Sequence, residues 1–202
     1  PPRAASEPDG HFTDFGGRKP RRMTSVFLRP WQHADAGALA AAYRSSADLE
    51  RQLSADAMTA AGAQRIIRKD LGWDPQTACN LAIVWNGTAA GNAGISSIDV
   101  RHGTAWTYYW LAGPARGRGI AARAVATLAH WAFGDMKLDR LELGHRTNNP
   151  ASCRVAEAAG FAAEGIQREK LRYGADRFDV EIHARLATDP VPELERIVLR
   201  LP

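Results

Sequence analysis

Tyr109-Trp110-Leu111-Ala112-Gly113-Pro114-Ala115-Arg116-Gly117-Arg118-Gly119-Ile120-Ala121 is the stretch on which the reading of this 202-residue chain turns. A strand ends, a glycine-rich loop runs from Gly113 to Gly119, and a helix begins at Ile120. Glycine permits positive φ and lets a ligand reach the backbone with no Cβ in the way. Amides gathered at a helix N-terminus point at one spot and favour an anion there. Arg116 and Arg118 add charge to that spot. The preferred ligand is a phosphate or diphosphate; the alternative is a loop whose glycines only turn the chain.

Working outward, Val26-Phe27-Leu28 forms a short strand stopped by Pro30. Asp35 can cap a helix that runs to about Arg44, and a second helical region spans about Ala55 to Leu71. The strand Leu81 to Trp85 meets Asn86-Gly87, a two-residue hairpin signal, and about Ala90 to Val100 returns from it. A third strand of this run covers Thr104 to Leu111. After the loop come a helix from Ile120 to about Phe133, a strand from Leu141 to Thr147, and a helix that Asn149 caps with Pro150 in its first turn. Two strands close the domain, the last alternating Phe178, Val180, Ile182, Ala184 and Leu186 with polar neighbours. The order is β-α-α-β-β-β-α-β-α-β-β, a mixed α/β domain.

Which phosphate ligand follows from context. Gly117-x-Gly119-x-x-Ala122 formally fits a dinucleotide fingerprint. That motif needs an acidic residue at the end of the next strand, about 20 residues on. Asp139 precedes the strand instead, and the strand ends in His145-Arg146. The loop also follows three strands in hairpin succession rather than opening a βαβ repeat. A nicotinamide enzyme is disfavoured, and the absence of Gly-Lys-Ser/Thr excludes a P-loop.

Composition bounds the rest. The chain is 45% hydrophobic and 24% charged, enough apolar material for one domain. Cys79 and Cys153 cannot make a disulfide framework, which fits a reducing compartment. No apolar run reaches the roughly 18 residues of a membrane span, and no signal peptide is seen, so a cytoplasmic protein without a membrane partner is expected. The net charge is +4, of which residues 1–22 supply +2, so the body is a weak candidate for nucleic acid. Residues 1–22 form a polar N-terminal extension, 23–187 the domain and 188–202 a C-terminal tail. No metal site is expected.

Arg116-Gly117-Arg118-Gly119-Ile120-Ala121 fits the R-x-x-G-x-A pattern of the GCN5-related N-acetyltransferases, and Tyr109-Trp110-Leu111 is similar to their fourth strand. Asn148-Asn149-Pro150-Ala151-Ser152, Gly160-Phe161, Glu164-Gly165 and the opening Leu28-Arg29-Pro30-Trp31 resemble the RimJ/RimL subgroup. The resemblance covers about residues 24 to 187. It implies a GNAT acyl-CoA N-acyltransferase fold: a mixed, mostly antiparallel sheet flanked by helices, with splayed central strands. It implies acetyl-CoA as co-substrate, direct transfer to a primary amine of unknown identity, a protein N-terminus or small molecule, and often a homodimer. Another short acyl-CoA such as succinyl-CoA, or an acyl-CoA-binding sensor without turnover, is the alternative.

The roles that the resemblance implies fall on named residues. The backbone at Leu111 pairs with pantetheine where the strands part. The amides of Arg116, Gly117, Arg118, Gly119, Ile120 and Ala121 cradle the diphosphate. Asn149 holds the pantetheine arm, and Ser152, near the sulfur, protonates the leaving thiolate. Read from the residues alone, Asn149 and Ser152 are equally an N-cap and a first-turn serine. Relatives carry a Glu ahead of the Tyr-Trp-Leu segment; here Trp106, Thr107 and Tyr108 stand there, so the usual base is missing. Asp99, His102 and His145 are the replacements to test. Cys153, in a helix first turn, invites a nucleophilic role, but Ser152 holds the motif position. The acceptor pocket is expected between the first two helices, Ser45 to Asp56, and at the turn Tyr173-Gly174-Ala175-Asp176.

Overall fold

A computed structural model of the chain describes residues 25–201. The proposed N-terminal extension, with its Arg18 to Arg22 run, lies outside the described residues. Among the described residues nine strands form one sheet in the order β7-β8-β6-β5-β4-β3-β1-β9, with β2 pairing β3. They are β1 Val26–Pro30, β2 Trp73–Asp74, β3 Ala78–Trp85, β4 Thr88–Asp99, β5 Thr104–Leu111, β6 Arg140–Arg146, β7 Ala162–Tyr173, β8 Asp176–Leu186 and β9 Val198–Leu199. All pairs are antiparallel except β1 with β9 and β5 with β6. The helices are α1 Ala36–Arg44, α2 Ala60–Lys69, α3 Ile120–Gly134 and α4 Pro150–Ala158.

The sheet has a core on each face. On one, Leu81, Ile83, Ile95 and Leu141 pack with Val125 and Leu128 of α3 and Ala156 of α4. On the other, Ala82, Val84 and Trp110 pack with Leu39 of α1 and Ile66 of α2. Strand alternation accounts for this: neighbours along β3 must serve opposite faces, and both faces are covered, so β3 is apolar almost throughout. A buried polar chain ties this second face together. Trp31 Nε1 donates to Asn92 Oδ1 at 2.8 Å, Asn92 Nδ2 to Asn80 Oδ1 at 3.2 Å, and the Tyr108 hydroxyl to the same oxygen at 2.8 Å.

Several local expectations shift. Asp35 holds the N-cap position of α1, but its side chain makes no capping bond to the helix. Its carboxylate accepts from the Gln32 amide at 2.8 Å and from Arg29 at 2.6 and 2.8 Å, and a 3-10 turn, His33–Asp35, precedes the helix. The second helical region divides into a 3-10 turn, Ala55–Met58, and α2, because Thr59 is extended and its Oγ1 accepts from the Gly62 amide. A Cβ on Gly62 would fall 1.9 Å from the Asp56 carbonyl oxygen, so glycine is what lets the turn fold onto the helix. The domain also does not stop at 187. Ile197 is buried, its amide donates to Thr127 Oγ1 at 3.1 Å, and β9 adds to the sheet beside β1.

The feature that positions the site is a partial pairing. β5 and β6 are in register only from Thr104–Trp106 against Arg140–Glu142. Beyond that the two parallel strands part, and the facing edges of Thr107–Leu111 and Leu143–Arg146 open a cleft.

Candidate functional site

Two cavities meet at this parting. The first, about 430 Å3, reaches from Tyr109 and Leu111 to the loop residues Arg116, Gly117 and Gly119 and the first turn of α3. The second, about 300 Å3, lies under Trp106, Thr107, Tyr108, His145 and the β7–β8 hairpin. Asp48, Gln52, Tyr109, Asn149 and Ser152 line both. A molecule threaded through the cleft therefore passes these side chains.

The loop has the conformation its glycines permit. Gly117 and Gly119 both sit at φ +70°, and a Cβ at either meets no protein atom within 4 Å. Gly119 is the N-cap of α3, and the first backbone bond into the helix runs from the Arg123 amide to the Gly119 carbonyl at 3.2 Å. The amides of Ile120, Ala121 and Ala122 are thus first-turn donors without intrahelical acceptors, at the positive end of a 15-residue helix. They border the first cavity. The cavity is therefore bordered by backbone donors at a helix N-terminus, an arrangement that favours an anion.

The two arginines behave otherwise than expected. The Arg116 amide is already used, donating to the Gly113 carbonyl at 3.1 Å. Its guanidinium turns back onto the Leu111 carbonyl at 2.8 Å and the Asp48 carboxylate at 3.0 Å. Arg118 lies over the Trp85 ring at 4.9 Å and does not line the cavity. The free amides therefore begin after Arg116, and the positive edge of this cavity comes from the backbone more than from these side chains.

Asn149 and Ser152 are bonded to each other. Asn149 Oδ1 accepts from the Ser152 amide at 3.2 Å, the N-cap bond, while Nδ2 donates to Ser152 Oγ at 3.0 Å. With Oγ accepting from Nδ2, its own hydrogen is left to donate into the cleft. The Tyr109 hydroxyl, 3.4 Å from the Ser152 carbonyl oxygen, is a second protonated group at the junction, and burial pushes its pKa up. Sequence reasoning missed Tyr109 because it stood inside a motif read for its backbone.

The candidate bases separate cleanly. Asp99 ends β4 and His102 sits in the turn that follows, and neither lines a cavity. Asp99 Oδ1 is occupied by the amides of Arg101 and His102 at 2.9 and 3.1 Å. His145 does border the second cavity, yet both ring nitrogens are engaged, Nδ1 with the Arg146 carbonyl at 3.0 Å and Nε2 with His183 Nε2 at 3.0 Å. Among the described residues Asp48 is the one carboxylate lining either cavity, and it lies inside the Ser45 to Asp56 segment where the acceptor pocket is expected from the sequence. Cys153 is no activated nucleophile: partial desolvation and the nearby Glu157 and Glu181 carboxylates hold its thiol above the ordinary value.

The second cavity is cationic and aromatic. Arg51 lies 5.6 Å from the Tyr173 ring, Arg146 5.6 Å from Tyr173 and 5.0 Å from Phe178, and Lys170 5.5 Å from Trp106. Among the described residues none of these three cations has a carboxylate within ion-pair distance. Tyr173, at the β7–β8 turn, lines this cavity. No helix of the described residues is long and apolar enough to cross a membrane.

Residues 25–162 match the family model described as "Acetyltransferase (GNAT) domain". Among curated proteins, the chain is 37% identical over 86 residues to "Probable N-acetyltransferase YjcK" of Bacillus subtilis (strain 168), covering 43% of this chain and 48% of that one. A second relative from the same organism is 27% identical over 104 residues, covering 52% and 57%. The chain thus spans about half the length of the curated relatives it matches. Among solved structures, the microcin C7 self-immunity acetyltransferase MccE, in complex with acetyl-CoA and AMP, superposes with TM-score 0.70 at 21% identity, over 80% of this chain and 92% of that. RimL, the ribosomal L7/L12 alpha-N-protein acetyltransferase in complex with coenzyme A, superposes with TM-score 0.69 at 22% identity, over 80% and 94%.

Proposed function

Because this chain belongs to the GNAT acetyltransferase family, we propose that it is an N-acetyltransferase that moves an acetyl group from acetyl-CoA to a primary amine carrying acidic groups nearby. The observation that carries this reading is the meeting of the two cavities at Tyr109, Asn149 and Ser152, where β5 and β6 part. One cavity ends at an anion site made of backbone; the other ends among unneutralised cations.

The thioester supplies an activated acyl group; this chain's residues hold and orient what reacts. The amides of Gly117 and Gly119 through Ala122 bind the diphosphate. Parted edge groups of β5 at Leu111 take the extended arm by added-strand pairing. Holding both reactants in one cleft converts a bimolecular encounter into an oriented one. Ser152, its Oγ fixed by Asn149, gives the departing sulfur a proton, with Tyr109 as the neighbouring hydroxyl. Asp48 meets the incoming amine at the mouth shared by both cavities and takes or relays its proton.

Charge selects the acceptor. Arg51, Arg146 and Lys170 favour an acidic N-terminal peptide or an anionic small-molecule amine over a polyamine. The test is thiol release from acetyl-CoA with paired peptides whose N-terminal amine is flanked by acidic or by basic residues. The acidic peptide is expected to show the lower KM, by about two- to fivefold per exposed charge. Preference for the basic peptide would remove the charge argument. Binding without release on any amine would favour an acyl-CoA sensor.

A further inference from the structure

Beneath the first turn of α4, behind the wall of the second cavity that His145 borders, four side chains from three elements converge. His145 Nε2 and His183 Nε2 are 3.0 Å apart, and Glu181 Oε2 lies 3.3 Å from the first and 3.1 Å from the second. Cys153 Sγ completes a group in which every ligand atom is within 4.8 Å of every other. His183 is fully buried and His145 nearly so.

The hydrogen-bond pattern fixes what these atoms are. His145 Nδ1 faces the Arg146 carbonyl at 3.0 Å, and His183 Nδ1 faces the Phe161 carbonyl at 3.3 Å. A carbonyl oxygen only accepts, so both Nδ1 atoms carry hydrogen, and in the neutral rings both Nε2 atoms present lone pairs. Two lone pairs and a carboxylate oxygen then stand about 3 Å apart with no donor between them. Something positive must occupy their common point: a proton or a metal cation.

Three features favour the cation. A tetrahedral zinc ion with nitrogen and oxygen ligands at about 2.0–2.2 Å sets those atoms about 3.3–3.5 Å apart, close to the observed triangle. The Nδ1–H to carbonyl bonds are the outer support that orients imidazole ligands on metals. A thiolate and a carboxylate neutralise a divalent ion, so the half-buried site carries no net charge.

We infer that His145, Cys153, Glu181 and His183 form a binding site for a zinc-like divalent cation that clamps the first turn of α4 to β6 and β8. All four positions are filled by protein, which marks a structural rather than a catalytic ion. Its effect on the transferase site is positional, since Cys153 follows Ser152 and the clamp holds the turn that carries Asn149 and Ser152. The sequence predicts no metal because the ligands stand at 145, 153, 181 and 183 on two strands and a helix, a spacing that matches no local motif.

The test uses the full chain, stripped with a chelator under reducing conditions and titrated with zinc against a chromophoric competitor. One equivalent is expected to bind, and cobalt in its place should give tetrahedral d–d bands with a thiolate charge-transfer band. Cys153→Ala should remove that band and weaken zinc at least tenfold, and Glu181→Gln should weaken it comparably. The cobalt spectrum of the unaltered chain is a readout that needs no variant. A folded chain that takes up no zinc would overturn the inference and leave a shared proton in the cluster. Zinc bound with unaltered affinity by either variant would overturn it too, by placing the ion elsewhere.

Discussion

Replacing Gly119 with alanine separates the two things this residue does. Its φ is +70°, and an L-residue held there costs about 1–2 kcal/mol. The added Cβ meets no protein atom within 4 Å, so no steric penalty inside the protein adds to that figure. For a domain of this size each kcal/mol moves the melting point by about 2–4 °C, so a fall of about 2–8 °C is expected. The same methyl enters the space where the diphosphate would approach the α3 amides. Losing one charge-assisted hydrogen bond costs about 1.5–3 kcal/mol, or roughly 10- to 150-fold in coenzyme A affinity. Gly37→Ala is the control, because Gly37 lies in α1 with nothing within 4 Å, and alanine there should stabilise by up to about 1 kcal/mol without touching the ligand. Melting curves with and without coenzyme A read both effects at once. A Gly119→Ala protein that melts lower but gains the wild-type ligand shift would refute the reasoning, because the loop would then be only a turn.

Ser152→Ala should lower kcat by roughly 100-fold with little change in the acetyl-CoA KM, and Tyr109→Phe should lower it less; steady-state thiol release in the reverse order would move the proton donor to Tyr109. Asn92→Ala strands the buried Trp31 N–H and should cost about 1–3 kcal/mol in a urea titration, with the slope unchanged. Glu164 accepts from Arg140 at 2.9 and 2.5 Å, and that guanidinium holds its carboxyl below the ordinary range. A depressed carboxyl stabilises the fold above its unfolded pKa and loses that contribution as pH falls through the folded one. The stability gap between wild type and Glu164→Gln should therefore be full at pH 7 and close below about pH 4, near the unperturbed carboxyl value.

Much of the architecture is legible in local chemistry. Asn86 and Gly87 take φ of 51° and 82°, as a tight two-residue hairpin requires, and the strands on either side follow. The glycine loop and the Asn149 cap are likewise written in short stretches, and β8 is a strand as its alternation implies, although His183 and Arg185 on its polar side are buried and Leu186 is exposed. What escaped depends on distant partners. Val198–Leu199 is a two-residue strand whose only signal is β1, about 170 residues away. The split before α2 hangs on the approach of Asp56 to Gly62. Gly117, Gly119, Asn149 and Ser152 line one cavity, whereas the direction of the arginine side chains is set by Asp48 and Trp85, which belong to other elements. The missing carboxylate ahead of Tyr109 is real in the sequence, and Asp48 stands nearby only because the chain between α1 and α2 folds over both cavities.

The central claim is that the parted strands and the α3 N-terminus form one seat for an acyl-CoA. Calorimetric titration of the folded chain with acetyl-CoA tests it most directly. The account predicts saturable heat with one ligand per chain, abolished when S-acetylpantetheine, which carries the thioester arm without the diphosphate, is used in its place. An absence of heat with acetyl-CoA, or equal binding of the ligand without diphosphate, would contradict it.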